Sequence, residues 1–441
     1  MIRFFPLKHQ KVLKLSIPAA INSLFDMLQV MTDLVMVGRL SAFAVAAVGL
    51  GLQSLMLIFA VLTVLSVGTS ALLARFIGGE RFTRASIGLS TLLRFALFLS
   101  FPAMVAWYFL ASHIYEWFGT APEVAALGQG YVQVLTWMMP FIFMKLVFVS
   151  ALNAAGDTQT PMKVKLFSIV LNVVLNYLLI FGALGFPAMG VVGAATGTVI
   201  VNILEWCIYL FLYLKGHTPY RPLLHYSKKL LNRALKVGLP ASIERALTFG
   251  SFMLFTAVIA HYGTAVLAGY QIGLRVEGLA FMPGIGFTIA AMALMGQGLG
   301  AKKPEQSKAD VLLVLKYATG LMFFLSFFMI FVPEKIVWLF TNDQATIEAA
   351  SLYLRIVGVS QIPLAFNFVL SGALRGAGDT RRTLKINLIS LWFVRILPAF
   401  ALSYLFHTIL FVYLAMIADT FVKAVWLWRT FQRGAWQKIQ V

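Results

Sequence analysis

The sequence predicts an all-α integral membrane protein with twelve transmembrane helices, in two parallel six-helix lobes related by a pseudo-two-fold axis along the membrane normal. Three observations lead to this fold class. Of the 441 residues, 60% are hydrophobic and only 12% are charged. Apolar runs of membrane-spanning length follow one another along the chain. A sequence repeat relates the two halves. This composition excludes an ordinary soluble protein.

The apolar runs are the predicted helices, because each is long enough to cross about 30 Å of hydrocarbon. The four longest begin near residues 45, 126, 266 and 348, so we expect those helices to tilt or protrude. We expect no removable signal peptide, because the first run lacks a small-residue cleavage pattern. The runs lie at 12–37, 45–74, 88–112, 126–152, 165–184, 189–214, 236–260, 266–296, 311–333, 348–374, 385–406 and 408–428.

The Lys and Arg residues between the runs predict the orientation in the membrane. One set of connections, with both termini, carries 25 Lys and Arg, whereas the opposite set carries only Arg39 and Lys335. Basic residues concentrate in cytoplasmic loops, so both termini are expected in the cytoplasm. The net charge of +19 therefore reflects topology and not a nucleic-acid partner.

An internal repeat with an offset of about 222 residues organises the chain. The segment SALNAAGDTQTPMK at 150–163 recurs as GALRGAGDTRRTLK at 372–385. Because six helices separate the copies, both halves enter the membrane in the same direction, and a substrate path is expected between them. The same offset pairs Pro18 with Pro240 and Gly78 with Gly300.

The repeat divides the chain into a first lobe at 1–214, a cytoplasmic linker at 215–235 and a second lobe with a tail at 236–441. The linker and its flanks, KGHTPYRPLLHYSKKLLNRALK, are strongly basic. We expect an amphipathic helix here that rests on anionic lipid headgroups.

The first helix is the strongest functional candidate, because it carries two carboxylates in an apolar run. Asp26 and Asp33 are seven residues apart and should share one helix face. Acids at this depth are costly and usually serve a function. The alternative is structural: Asp33 caps the outer helix end and Asp26 pairs with a neighbouring Arg. Pro18 removes a backbone hydrogen bond and is the expected bending point.

Three polar residues of the fifth and sixth helices are the predicted partners of Asp33. Asn172 and Asn176 are four residues apart and stack on one face. Thr198 adds a hydroxyl beside the small pair Gly193 and Gly197, which allows close helix approach. These side chains suit an ionised Asp or a cation, although Asn and Thr also commonly bond between membrane helices.

The second lobe offers a possible substrate or secondary polar site. Glu244 follows Pro240, while Arg275 and Glu277 are two residues apart and so lie on different helix faces. For all three, a buried ion network is as plausible as contact with a substrate. Asp419 is expected to form an i,i+4 ion pair with Lys423.

Several motifs together resemble the multidrug and toxic compound extrusion (MATE) transporters over essentially the whole chain. They are IPAAI through TDLVMVGRL at 17–40, ALNAAGDTQTPM at 151–162, LNVVLNYLLIFG at 171–182, GVVGAATGT at 190–198, GLPASIE at 238–244, GLRVEGLAFMPGIG at 273–286 and ALRGAGDT at 373–380.

The resemblance implies export of cationic or amphipathic drugs by cation antiport and rocking of two lobes. It implies a coupling acid at Asp33 and a polar pair at Asn172 and Asn176. Some members carry Asp where this chain has Asn176, and NorM-like members have an acid in the tenth helix, whereas 349–378 contains none. Coupling is therefore expected in the first lobe, as in the DinF-like branch, with protons or with sodium at Asp33, Asn172, Asn176 and Thr198.

The expected partners are small-molecule drugs, protons or sodium ions and membrane lipids, for a monomer in the bacterial cytoplasmic (inner) membrane. No cofactor or further metal is expected. The first alternative is a lipid-linked saccharide flippase of the same superfamily. An enzyme is not expected, because the chain lacks a His-rich metal cluster, nucleophile elbow or phosphate loop.

Overall fold

The computed structural model describes residues 6–439, apart from the side chains of Leu57, Ala111 and Ser112. Within that part of the chain every regular element is helical, which confirms the predicted fold class. The helices are α1 (Leu7–Gly38), α2 (Ala42–Gly78), α3 (Phe82–Trp117), α4 (Pro122–Thr136), α5 (Met139–Ala155), α6 (Gln159–Phe181), α7 (Gly190–Leu214), α8 (Lys228–Ala260), α9 (Thr264–Gly300), α10 (Pro304–Phe331), α11 (Pro333–Trp338), α12 (Gln344–Val359), α13 (Gln361–Gly376), α14 (Thr380–Ser390), α15 (Leu397–Phe406) and α16 (Ile409–Gln432).

Within residues 6–439, ten spans are long and apolar enough to cross a membrane, and two bent pairs bring the number to twelve if each pair is one span. The long predicted runs near 126 and 348 are these pairs: α4 with α5 and α12 with α13, each bent by 55°. Pro140 and Pro363 lie in the first turn after each break, where a missing N–H costs least. The runs near 45 and 266 are instead the single 37-residue helices α2 and α9.

The first lobe comprises α1–α7 and the second comprises α8–α16. The lobes meet through their first two helices, since α1 packs along α9 and α2 packs along α8. These contacts obey the 222-residue repeat, because α8 and α9 are the repeat copies of α1 and α2. The lobe interface is therefore itself pseudo-symmetric.

The lobes approach each other closely at the basic end of the bundle, defined by the loops at 79–81 and 301–303. There Gly78 of α2 lies against the backbone of Gln297, and Gly300 of α9 lies against the backbone of Arg75. A Cβ at either glycine would overlap the opposing carbonyl oxygen. Glycine at these repeat-related positions allows the two helix backbones to touch.

Two hydrogen bonds from the repeat-related positions 75 and 297 join the lobes at the same level. Arg75 Nη2 donates to the carbonyl oxygen of Ala377 over 3.0 Å, and Gln297 Nε2 donates to that of Ala154 over 2.8 Å. Each acceptor lies at the C-terminal end of a helix, where carbonyl groups lack intrahelical partners. The two glycine contacts and these two hydrogen bonds hold the lobes together at the basic end, and we call this set of contacts the latch.

The prediction of an amphipathic helix in the linker is wrong. Residues 215–227 form no α-helix, and α8 begins at Lys228, inside the predicted linker. The segment is held to α3 instead: Arg94 Nη2 donates to the Leu224 carbonyl over 2.8 Å, and Ser90 Oγ donates to that of His225 over 3.0 Å. Polar side chains of α3 satisfy the linker backbone, so no helix is needed there.

Candidate functional site

Asp33 lies inside the first lobe against the predicted amide pair of α6. Asn176 Nδ2 donates to Asp33 Oδ1 over 2.6 Å and to Asn172 Oδ1 over 3.3 Å. Both asparagines are fully buried, whereas Asp33 is half-buried. The helix period produces this cluster, because residues four apart on α6 stack on the face that meets α1.

Two amide atoms of the pair are left without a partner. Asn172 Nδ2 and Asn176 Oδ1 are buried and make no hydrogen bond within the described chain. Burying an unpaired amide group costs about 1–3 kcal/mol. The pair therefore has one unused hydrogen-bond donor and one unused acceptor beside the carboxylate of Asp33.

The structure does not join Thr198 to this cluster. Its hydroxyl donates to the carbonyl of Ala194 over 3.0 Å, within its own helix. The preceding Gly197 is the α7 residue that meets Asn176, and a Cβ there would overlap Asn176 Oδ1. The close approach expected from the Gly193 and Gly197 pair is confirmed, since Gly193 lies against the backbone of Leu179.

Asp26 pairs with α6 as well, so the two acids do share a face of α1. Its partner is Lys165, whose Nζ lies 2.7 Å from Asp26 Oδ1 and also donates to Gln29 Oε1 over 2.7 Å. The structural alternative is wrong on both points. The partner of Asp26 is a Lys and not an Arg. Asp33 does not cap α1, because the helix continues past it to Gly38.

A second buried ion pair in the first lobe joins Lys145 of α5 to Glu205 of α7. Lys145 Nζ also donates to Asn202 Oδ1 over 2.5 Å. The Glu205 carboxylate is nearly fully buried. Sequence reasoning did not connect these residues, because they are 60 positions apart on different helices.

The loop of the repeated GDT motif supports the backbone at Pro18. Proline cannot donate to the carbonyl four residues earlier, which here belongs to Lys14. Thr158 Oγ1 donates to that carbonyl over 3.2 Å and to the Leu15 carbonyl over 3.0 Å. Helix α1 therefore runs through Pro18 as one continuous helix.

Glu244 in the second lobe belongs to a buried ion network. Arg375 Nη2 lies 2.6 Å from Glu244 Oε1, and Asn387 Nδ2 donates to the same oxygen. Asn387 is the repeat counterpart of Lys165. The residue at this position therefore contacts an acid in each lobe, Asp26 in the first and Glu244 in the second.

Arg275 and Glu277 do lie on different faces of α9. Arg275 is exposed, whereas Glu277 is half-buried and accepts a 2.5 Å hydrogen bond from the hydroxyl of Tyr353. The predicted pair of Asp419 with Lys423 is confirmed at 2.8 Å. The structure therefore separates the second-lobe candidates instead of gathering them into one cluster.

Comparison with known proteins identifies the family. The MatE family profile matches residues 18–178 and 240–401, one copy in each lobe. A probable multidrug resistance protein NorM of Thermotoga maritima is 32% identical, covering 97% of this chain and 93% of the relative. One of the same name from Bradyrhizobium diazoefficiens is 29% identical, covering 90% and 87%.

Solved structures show the same fold. An outward-facing multidrug resistance MATE family transporter of the MOP superfamily superposes with a TM-score of 0.91 at 23% identity, covering 98% of this chain and 97% of the other. The family profile and the Thermotoga relative each extend over most of this sequence. This multi-pass membrane protein therefore belongs to the MatE family of transporters.

Proposed function

We propose that this chain exports cationic or amphipathic small molecules from the bacterial cytoplasm by antiport against protons, in the manner of the DinF-like branch. The names of its relatives support multidrug efflux over a lipid-linked saccharide flippase. The observation that carries the coupling proposal is Asp33, a half-buried carboxylate of α1 held by Asn176 of α6.

Protons suit this site better than sodium. The amide nitrogen of Asn176 faces Asp33, and a donor N–H occupies the place where a sodium ion would need an oxygen. The second oxygen of this half-buried carboxylate remains available to a proton. Protonation removes the charge that Asn176 stabilises and leaves a donor that can pair elsewhere.

Alternating access would follow from a change in α1. We propose that protonation of Asp33 releases α1 from Asn176 and lets it bend near Pro18, which has no backbone hydrogen bond to break. The Thr158 contacts below Pro18 would fix the lower segment, so the upper segment moves. Two arrangements of one helix, biased by one proton, form the bistable element that coupling requires.

The proposed topology has both termini in the cytoplasm, as the 25 to 2 distribution of Lys and Arg indicates. The basic end is then cytoplasmic, and the latch there closes the cytoplasmic side. The proposed units are a first lobe at 1–214, a linker at 215–235 and a second lobe at 236–441, in a monomer surrounded by lipid.

Transport into proteoliposomes tests the proposal. Uptake of ethidium, a fluorescent lipophilic cation, would be followed under a proton gradient and separately under a sodium gradient. We expect the proton gradient alone to drive uptake, and Asp33→Asn to abolish it. Asp343→Asn, an exposed helix cap, controls for loss of a carboxylate elsewhere. Drive by sodium alone, or full activity of Asp33→Asn, would contradict the proposal.

A further inference from the structure

A pocket of about 220 Å³ lies between α8 and α9 in the second lobe. It is near the middle of both helices, and hence near the middle of the membrane. Its neighbour across the lobe interface is Met27 of α1, whose Cε would lie 3.2 Å from a Cβ at Gly278 in the pocket wall. The pocket therefore adjoins the path between the lobes. Its wall includes Arg245, Thr248, Phe249, Phe252, Glu277 and Phe281.

The pocket contains one cation that nothing in the described chain neutralises by direct contact. Arg245 makes no hydrogen bond or ion pair of 4 Å or less with residues 6–439, and its side chain is exposed. The adjacent Glu244 is already held by Arg375 and Asn387. A guanidinium at membrane depth is costly unless it meets an anion or water.

The other charged groups around the pocket are already engaged. Glu277 accepts the hydroxyl of Tyr353. Arg395 is half-buried beside the wall and makes no ion pair of 4 Å or less with residues 6–439. Its guanidinium carbon lies 5.2 Å from the ring centre of Phe252 and 4.8 Å from that of Phe255. Apart from the Glu244–Arg375 pair, two cations thus accompany one carboxylate, and Arg245 is the one of the two cations that lines the pocket.

The two lobes differ in charge at corresponding positions, which are acidic in the first lobe and neutral in the second. The 222-residue offset places Phe255 where the first lobe has Asp33, so an aromatic support for Arg395 replaces the carboxylate. The residue at the offset from Asp26 is Thr248, in the pocket wall. The first lobe therefore has acids where the second lobe is neutral, and the second lobe has the cation of Arg245 where the first lobe has Ser23.

We propose that this pocket binds the anionic aromatic end of an amphiphilic substrate, with a carboxylate on Arg245 and a ring among Phe249, Phe252 and Phe281. Guanidinium binds carboxylates with two parallel hydrogen bonds, and aromatic rings pack edge to face in such walls. A volume of about 220 Å³ accepts a bicyclic ring, and the remainder of a larger molecule would lie between the lobes. The inference rests on the proposed efflux function and specifies part of its substrate class.

Matched probes test this on the purified full-length protein, without any transport step. The probes are 2-naphthylacetate, which is anionic, and 2-(2-naphthyl)ethylamine, which is cationic, and their binding is measured by equilibrium dialysis. We expect Arg245→Gln to weaken binding of the anionic probe at least tenfold and to leave the cationic probe unweakened. Arg245→Lys should retain a preference for the anion.

Two further variants separate the site from general effects. Thr248→Phe should fill the pocket and weaken binding while Arg245 is kept. Lys335→Gln removes an exposed cation of the second lobe that is not part of the pocket wall and should change nothing. Equal binding of 2-naphthylacetate by wild type, Arg245→Gln and Arg245→Lys would overturn the inference, whatever the ethidium assay gives. Failure of proton-driven ethidium uptake with binding dependent on Arg245 would overturn only the proposed function.

Discussion

Substituting Gly78 by Ala should force the lobes apart at the basic end. The new Cβ would lie 1.9 Å from the carbonyl oxygen of Gln297, whereas ordinary contacts begin at 3.4 Å, so this contact must lengthen by about 1.5 Å, the difference, and α2 and α9 must separate. Gly300 meets Arg75 in the same way, so neither helix can slide aside without disturbing the other contact. Overpacking of this kind costs about 1–3 kcal/mol.

That cost falls on the latched arrangement alone, because it exists only while the helices touch. The equilibrium between latched and separated states should therefore shift about 5- to 150-fold toward separation. Movement of α2 would also stretch the hydrogen bonds of Arg75 with Ala377 and of Gln297 with Ala154, which adds to the shift.

Spin labels at exposed positions 84 and 306 measure the separation directly, because these repeat-related sites flank the latch. Double electron–electron resonance should show a larger population of long distances in Gly78→Ala than in wild type. Gly49→Ala is the matched control, since it lies in the same helix and a Cβ there meets no atom within 4 Å. Identical distance distributions for Gly78→Ala and Gly49→Ala would refute this account of the latch.

The first lobe yields three further predictions. Asp33→Asn should reduce drug resistance to that of cells without the transporter at unchanged expression, and undiminished resistance would remove Asp33 from the coupling step. Asn176→Ala should weaken transport, and Asn176→Asp should introduce sodium dependence. If both variants keep the ion dependence and the drug resistance of wild type, the role of α6 is only structural. Lys145→Met should lower stability by about 3–5 kcal/mol, because Glu205 stays buried and unpaired; a thermal midpoint in detergent equal to that of wild type would contradict this.

The bending of α1 is a separate prediction. Spin-label distances from the upper part of α1 to α6 should change as Asp33 titrates, because the Asn176 contact depends on the ionised carboxylate. Thr158→Val should enlarge the change in distance, because it removes the hydrogen bonds to the Lys14 and Leu15 carbonyls. The loss of these bonds should cost about 1 kcal/mol of stability. Constant distances alongside proton-driven transport would refute bending and leave Asp33 as the coupling residue.

Much of the architecture is readable from the sequence because it depends on local properties. Run length and hydropathy determine which segments can span a bilayer. The repeat indicates that the two lobes are structural copies of each other. For that reason the contact of α1 with α9 is matched by the contact of α2 with α8. The seven-residue spacing of Asp26 and Asp33 and the four-residue spacing of the amides determine shared faces, and both acids do face α6.

Partner choice is decided by the tertiary structure, because it depends on how helices rotate and slide against one another. The orientation of α7 puts Gly197 against Asn176, and the adjacent Thr198, about 100° further around the helix, does not reach it. The long side chain of Lys165 reaches Asp26 from another helix, which no spacing along the chain could reveal. Arg245 and Glu244 are sequence neighbours, yet packing gives Glu244 two partners and leaves the cation of Arg245 facing a pocket. Periodicity determines the face of a helix on which a charge lies, and only packing determines whether that charge is neutralised.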